Sequence, residues 1–262
     1  MNFEQETGWT LHPLNGETGQ AYMGIKNEQK LFLKRNTSPF LAALSLEGIS
    51  PKLVWTKRTS NGDILTAQKW CNGRTLYKTE MNMVRVAQKL KGIHASETLK
   101  KMLKRVGGQT YQAEDCLTDY FTGLPTDLRH HPTLSQATKL LKKQLDTLPA
   151  PSEYCVCHGD ASHKNWLLSD EHELYLVDWD SVVLADPAYD MGQYLARYCK
   201  QIDAAQWLDA YDDQLTEAFR RRLDWYRLMM SLLDIKAAYM SGRFHKMNAM
   251  IIQLNEWIEE TV

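Results

Sequence analysis

At residues 71–75, CNGRT, the hydrophobic period of the chain changes, and this change constrains the fold more than any other feature. Upstream, Tyr22 to Ile25 and Leu31 to Lys34 are short apolar runs around the polar stretch KNEQK, which predicts an antiparallel hairpin. Asn61-Gly62 lies between LVWTKR and DILTAQKW and predicts a second hairpin, because Asn-Gly readily supplies the two positive φ angles of a type I′ turn. Between the hairpins, SPFLAALSLEG offers Ser38 as N-cap, Pro39 as first helical residue and Gly48 as a stop. Downstream, Val84, Ala87, Leu90 and Ile93 form a helical stripe, as do Leu134, Ala137, Leu141 and Leu145. Long helical patterns fill most of the chain beyond Tyr189, and RLMMSLLDIKAAYM reads as helical core. The expectation is an α+β chain: a small antiparallel-sheet lobe over residues 1–70, then a larger, mainly helical lobe over residues 71–262.

A chain of 262 residues, 44% of them hydrophobic, can bury a substantial core in one large domain or two small lobes. Its formal net charge is −1 and its basic residues are scattered, so no direct nucleic-acid binding and no acidic membrane surface is expected; a small molecule or a protein is the expected partner. The start, MNFEQETGWT, lacks a signal-peptide pattern, and LMMSLL is too short to span a bilayer, so a cytoplasmic chain without a transmembrane segment is expected. Cys71, Cys116, Cys155, Cys157 and Cys199 are odd in number and form no disulfide framework, which points to reduced thiols. CVCH together with Cys199 offers zinc ligands in Cys155, Cys157 and His158, but the spacing is not that of paired C-x2-4-C motifs. The preferred reading places Cys155 and Cys157 on one face of a buried strand.

The chemistry concentrates in CHGDASHKN, residues 157–165, and the YLVDWD that follows. Phosphoryl transfer to an alcohol needs an acceptor hydroxyl held in line and the phosphate charge neutralised by metal. Asp160 is placed to accept or orient the hydroxyl proton, and Asn165, five residues on, to turn back toward the metal, the H-x-D-x-x-x-x-N spacing of a kinase catalytic loop. The runs WLL and LYLV around SDEHE predict a hairpin that returns Asp178 as a second, anionic ligand. Two hard oxygen ligands, with phosphates and water, suit Mg2+.

CHGDASHKN with LVDWDSVVLADPAYDMG resembles the aminoglycoside phosphotransferase and choline kinase superfamily, bilobal relatives of the protein kinases, over nearly the whole chain. The resemblance implies ATP and Mg2+ as cofactors and makes Lys34 the lysine on the α and β phosphates, against the plain reading of a solvent-facing lysine at a strand end. The partner glutamate of that lysine is in question, since Glu47 is the only one in SPFLAALSLEG and lies at its end. LNGETGQAYMG, with Gly16, Gly19 and Gly24, either covers phosphates or is an ordinary hairpin turn. Gln68, Lys69 and Trp70 form the expected adenine-binding hinge, although Trp70 is equally compatible with a core anchor. His158, Gly159 and Asp160 are the candidate acceptor-side residues, with His158 read as a scaffold for the loop rather than a base. His163 faces either substrate or solvent, Asp180 either reaches the metal through water or caps a turn, and Asp186 and Asp190 cap and anchor. Asp119, Tyr120, Trp225 and Tyr226 are candidates for the acceptor pocket.

Within the superfamily, LFLKRNTSPFLAALSLEGISPKLVWTKRTSNGDILTAQKW with YLVDWDSV most resembles the CcrZ-type phosphotransferases of Gram-positive bacteria. That resemblance implies a small-molecule sugar acceptor, ribose or 2-deoxyribose, and a role in timing replication and division, with replication or division proteins as partners. The competing expectations are a choline or aminoglycoside kinase, and a kinase-like binding module whose catalysis is incidental.

Overall fold

The structure, a computed structural model, describes all residues except 1–7, 15–20, 61, 149, 151–152, 199, 201–202, 213 and 262. Gly16, Gly19, Asn61 and Cys199 therefore lie outside the described residues. In chain order the strands are β1 (Thr10–Pro13), β2 (Ala21–Lys26), β3 (Gln29–Arg35), β4 (Leu53–Arg58), β5 (Ile64–Lys69), β6 (Gly73–Thr75), β7 (Cys155–Cys157), β8 (Trp166–Ser169), β9 (Leu174–Leu176) and β10 (Val183–Ala185). The α-helices are α1 (Leu41–Leu46), α2 (Val84–Ala95), α3 (Glu97–Arg105), α4 (Ala113–Phe121), α5 (Thr126–His130), α6 (Pro132–Leu145), α7 (Pro187–Tyr198), α8 (Ala204–Tyr211), α9 (Glu217–Met240) and α10 (Phe244–Thr261). They fall into two compact units, one of residues up to Tyr77 with Glu97–Gly107 and His163–Ser181, the other of the remainder. The α+β class expected from the change of period is the class found.

The first unit holds a five-stranded antiparallel sheet, ordered β1-β2-β3-β5-β4. Alternation along QKLFLKR buries Leu31 and Leu33 with Trp9, Leu65 and Ala67, and turns Lys34 to the opposite face. The first hairpin is tighter than KNEQK suggested: Asn27 and Glu28 alone form the turn, both at positive φ. The second hairpin exists, but its loop is longer than two residues. Thr59 N donates to Asp63 O, Gly62 N donates to Thr59 O, and Gly62 takes φ +91°, so its glycine serves a left-handed position after a turn. The helix after β3 begins later than expected. Ser38 Oγ accepts from Phe40 N at 3.2 Å and Leu41 N reaches Ser38 O, so a tight turn occupies 38–40 and α1 starts at Leu41. Gly48, at φ +65°, stops it as expected. A second, three-stranded sheet runs β6-β8-β9, the predicted WLL/LYLV hairpin pairing Trp166 with Leu176 and Leu168 with Leu174.

The second unit is built around α9, which buries Leu228, Met229, Met230, Leu232, Ile235 and Ala238 and packs on α7, α10, α4 and α6. Its approach to α7 is close enough that a Cβ on Gly192 would stand 2.6 Å from Tyr226 Cβ and 2.7 Å from Arg227 N. The stripes in α2 and α6 are largely as read, with Ala87, Leu90, Ile93, Leu134, Ala137 and Leu141 buried, but Val84 is exposed with Val86 taking the inward place, and Leu145 is only half-buried at the end of α6. Strand β7 pairs antiparallel with β10, is buried along its length, and carries Cys155 and Cys157 on one face, their sulfurs 3.7 Å apart. No helix among the described residues is long and apolar enough to cross a membrane.

Candidate functional site

In the first unit the chain leaves β9 through Asp178-Trp179-Asp180. Trp179 is buried, its Nε1 donating to Leu176 O at 2.8 Å and its ring edge-on to Phe40. That anchor turns the flanking acids outward, and Asp178 takes φ +62°, a left-handed conformation that aspartate tolerates better than most residues. Lys34, reaching from β3, donates to Asp178 Oδ1 at 2.9 Å and to Asp180 Oδ2 at 2.8 Å. Burial lowers the lysine's affinity for its proton, but the two carboxylates outweigh it and hold the ammonium above its ordinary pKa. Lys34 is thus an ion-paired lysine whose carboxylate partners are Asp178 and Asp180, while Glu47 stands at the C-cap of α1.

Asn165 closes the short 3-10 turn His163–Asn165, and its carbonyl accepts from Val177 N at 2.8 Å, which fixes it beside the residue preceding Asp178. The side chains of Asp178 and Asp180 are 55% and 53% exposed. An amide oxygen and exposed carboxylates are hard donors, and this set fits Mg2+, which fills its remaining positions with water and phosphate. In the expected hinge, Gln68 is buried and donates to Pro51 O at 2.7 Å, so its side chain braces the sheet. Lys69 N donates to Lys52 O, and Trp70 is half-buried with Nε1 on Asn72 Oδ1.

In the second unit, one stripe of α7 holds the start of the catalytic-loop motif. Asp190, Gln193 and Arg197 lie at i, i+3 and i+7, one face of a helix. Asp190 accepts from His158 N at 2.7 Å and Gly159 N at 2.9 Å. Gln193 Nε2 donates to Gly159 O at 3.0 Å, and Arg197 Nη1 to Asp160 Oδ1 at 2.6 Å. Arg197 is itself gripped by Asp234 of α9 through Nε and Nη2, at 2.7 and 2.8 Å. Burial alone would lower the Arg197 pKa, but the two acids raise it, so the guanidinium stays charged. Asp190 is fully buried; burial pushes its carboxyl up, yet its bonds to His94 and the loop amides hold it below the usual carboxylate value. His158 accepts from Asp160 N at Nδ1, 3.2 Å, which supports the scaffold reading. Asp186 caps Ala188 N and pairs with Arg222, also as an anchor.

Sequence reasoning missed Arg197, Asp234 and His94. The polar i, i+3, i+7 stripe immediately after DPAYD was the available signal for Arg197. Of the acceptor candidates, Tyr120, Trp225 and Tyr226 are core residues, Trp225 Nε1 bonding Leu141 O, whereas Asp119 is exposed and accepts from Tyr111 OH at 2.6 Å. Lys246 is depressed below its ordinary pKa by partial burial and by Arg243, Arg197 and Lys78, against the opposing pull of Asp234.

Solved structures share this architecture at low identity. A choline/ethanolamine kinase family protein from Mesorhizobium loti is 17% identical, with 96% of this chain and 87% of that one covered at a TM-score of 0.64. The choline kinase LicA from Streptococcus pneumoniae is 17% identical, covering 95% and 96% at 0.64. A thermostable aminoglycoside phosphotransferase APH(4)-Ia, in ternary complex with ADP and hygromycin B, is 14% identical, covering 99% and 97% at 0.68. The family model APH, described as the phosphotransferase enzyme family, matches residues 21–227, well over half of the chain. The kinase-like motif around Asp160 and the acids after β9 lie inside that match, and the chain belongs to the phosphotransferase enzyme family.

Proposed function

We propose that this chain transfers the terminal phosphoryl group of ATP to a hydroxyl of a small neutral sugar, ribose or 2-deoxyribose. Lys34 meets the nucleotide phosphates, the backbone at Lys69 and Trp70 meets the adenine edge, and Asn165 and Asp178 hold Mg2+, which neutralises phosphate charge when bound. Asp160 takes the acceptor proton as the acceptor oxygen bonds to phosphorus and the bond to the leaving ADP oxygen breaks. His158 and Gly159 keep that carboxylate in place. The observation that carries the reading is the Lys34 ammonium held on Asp178 and Asp180, which joins the phosphate-binding cation to the acids that the motif assigns to metal.

The neutral acceptor rests on the CcrZ-type resemblance of LKRNTSPF and VDWDSV, with the near-zero formal net charge of −1 and the lack of a concentrated acidic run beside the motif as support against a cationic acceptor. Arg197 touches Asp160 and Asp234, and Lys246 lies within electrostatic reach of Arg197 and Asp234. The same resemblance supports a role in timing replication and division.

The test is an ATP-turnover screen with ribose, 2-deoxyribose, nucleosides, choline and an aminoglycoside, with Asp160→Ala as blank. Turnover should rise with the five-carbon sugars and fall at least ~100-fold in the variant. Stimulation by choline alone would replace the acceptor class, and wild-type turnover in Asp160→Ala would sink the assignment of the base. Nucleotide binding without stimulation by any alcohol would favour a kinase-like binding module.

A further inference from the structure

Behind the catalytic loop, His94 of α2 and Cys155 and Cys157 of β7 bring one imidazole nitrogen and two sulfurs within 4.8 Å of one another. We infer that this cluster is a binding site for one soft d10 cation, Zn2+ or Cu+, separate from the hard-oxygen site for Mg2+. Nothing in the phosphotransfer chemistry uses these three side chains.

Two thiolates and an imidazole are the donor set that selects soft or borderline cations over Mg2+. The alternation of β7 puts both cysteine side chains on one side, and their sulfurs stand 3.7 Å apart, close enough to share one ion. All three donors are buried, Cys155 at 7% and Cys157 at 0% exposure and the His94 side chain at 4%. The imidazole is also oriented by its neighbours. His94 Nε2 faces Asp190 Oδ2 at 3.3 Å and Nδ1 faces the Tyr211 hydroxyl at 2.7 Å, so whichever nitrogen turns to the ion, the other keeps an orienting partner. The Cys157 sulfur also lies 3.4 Å from Asp186 O. The hydrogen bond from Cys157 lowers the Cys155 thiol pKa, while burial pushes that of Cys157 up.

As the metal bonds form, the thiol protons and the extra proton of a His94 imidazolium pass to solvent, which makes affinity rise with pH. With Zn2+ the two thiolates balance the charge in a buried setting; with Cu+ three ligands complete the usual low coordination number. The site adjoins the loop through Asp190, whose carboxylate also holds His158 N and Gly159 N. Occupancy would therefore stiffen the segment that carries Asp160.

The experiment is metal analysis and titration of the full chain. Protein purified under reducing conditions without chelator is assayed for zinc and copper, stripped, and titrated separately with Zn2+ and Cu+, with Co2+ as a spectroscopic probe of thiolate ligation. We expect about one ion per chain, thiolate-to-cobalt charge-transfer bands, and a melting temperature that rises with the bound ion. Cys155→Ser and Cys157→Ser should each weaken binding by at least ~100-fold, more than the loss of a group that only orients a ligand. Asp178→Ala should leave it intact, which separates this ion from one held at the oxygen site. If a variant does not fold, the cobalt spectrum of the wild type still decides. Uptake unaffected by the cysteine changes, no thiolate bands, or thiols that oxidise to a Cys155–Cys157 disulfide while no ion binds would each overturn the proposal. Because activity is not the readout, it stands or falls independently of the acceptor assignment.

Discussion

Arg197 is the residue whose replacement best separates positioning from packing. It makes three charge-assisted bonds, one to Asp160 and a two-pronged pair to Asp234. Its side chain is 24% exposed, against 44% for Asp160 and 18% for Asp234. Breaking a fully buried pair costs about 3–5 kcal/mol and an exposed one about 0–1 kcal/mol. Arg197→Met strips a mostly buried Asp234 of its hydrogen-bonded cation but leaves a half-exposed Asp160 near water, so a loss of about 2 kcal/mol is expected. For a chain of this size that is a fall in Tm of roughly 4–8 °C. Activity should fall further than stability explains. Without Nη1 on Oδ1 the Asp160 carboxylate loses a short charge-assisted anchor, and a misplacement of about 1 Å costs on the order of 100-fold in rate. The assay is kcat and KM for ATP at a temperature where melting curves show the variant folded, alongside Arg197→Lys. Lysine restores a charge but not the planar fork, so it should recover part of the Tm and little of the kcat. Wild-type kcat in folded Arg197→Met would refute the positioning role and leave Arg197 as a strut between α7 and α9.

Asp178→Ala and Asn165→Ala should each raise the magnesium concentration for half-maximal turnover, since each removes a hard ligand from an ion that shares its shell with water; unchanged titrations for both would put the metal elsewhere. Gly192→Ala should cost about 1–3 kcal/mol in urea unfolding, because its Cβ would meet Tyr226 and the Arg227 backbone at 2.6–2.7 Å; a midpoint equal to wild type would show that α7 and α9 separate freely. Asp190→Asn tests the depressed carboxyl by pH: its contribution is present above the unfolded value of about 3.9 and is lost as pH falls through the lower folded value. The stability gap between wild type and variant should therefore hold from pH 7 to 5 and shrink below about pH 4, and a gap constant down to pH 2 would contradict the assignment.

The features legible in the sequence are those set by local chain geometry. Strand alternation located Lys34 and the paired cysteines, and the apolar runs around SDEHE located the hairpin that delivers Asp178. What the sequence hid depends on which helices meet. Arg197 and Asp234 lie 37 residues apart and come together because Gly192 lets α7 and α9 approach, a contact no local pattern encodes. His94 joins the β7 thiols from α2, so a zinc reading confined to CVCH named His158, whose ring instead serves the Asp160 amide. The start of α1 was displaced for a local reason: Ser38 spends its hydroxyl on Phe40 N in a tight turn rather than on an α-helical N-cap.

The Lys34 cluster has a consequence for how nucleotide and metal must arrive on the proposed roles. One ammonium against two carboxylates leaves a net charge of −1, and both acids are more than half exposed while the lysine is mostly covered. A triphosphate without a counter-ion brings further negative charge to Asp178 and Asp180 and competes with them for the same lysine. Divalent metal removes that conflict, since the acids turn from repelling groups into ligands and release Lys34 to the phosphates. Nucleotide affinity and magnesium affinity are then coupled, and by linkage each must strengthen the other by the same factor. Neutralising Asp178 acts on both sides of that coupling. It removes a ligand and also a repulsion, so its signature is a changed magnesium dependence of nucleotide binding rather than a uniform loss of affinity.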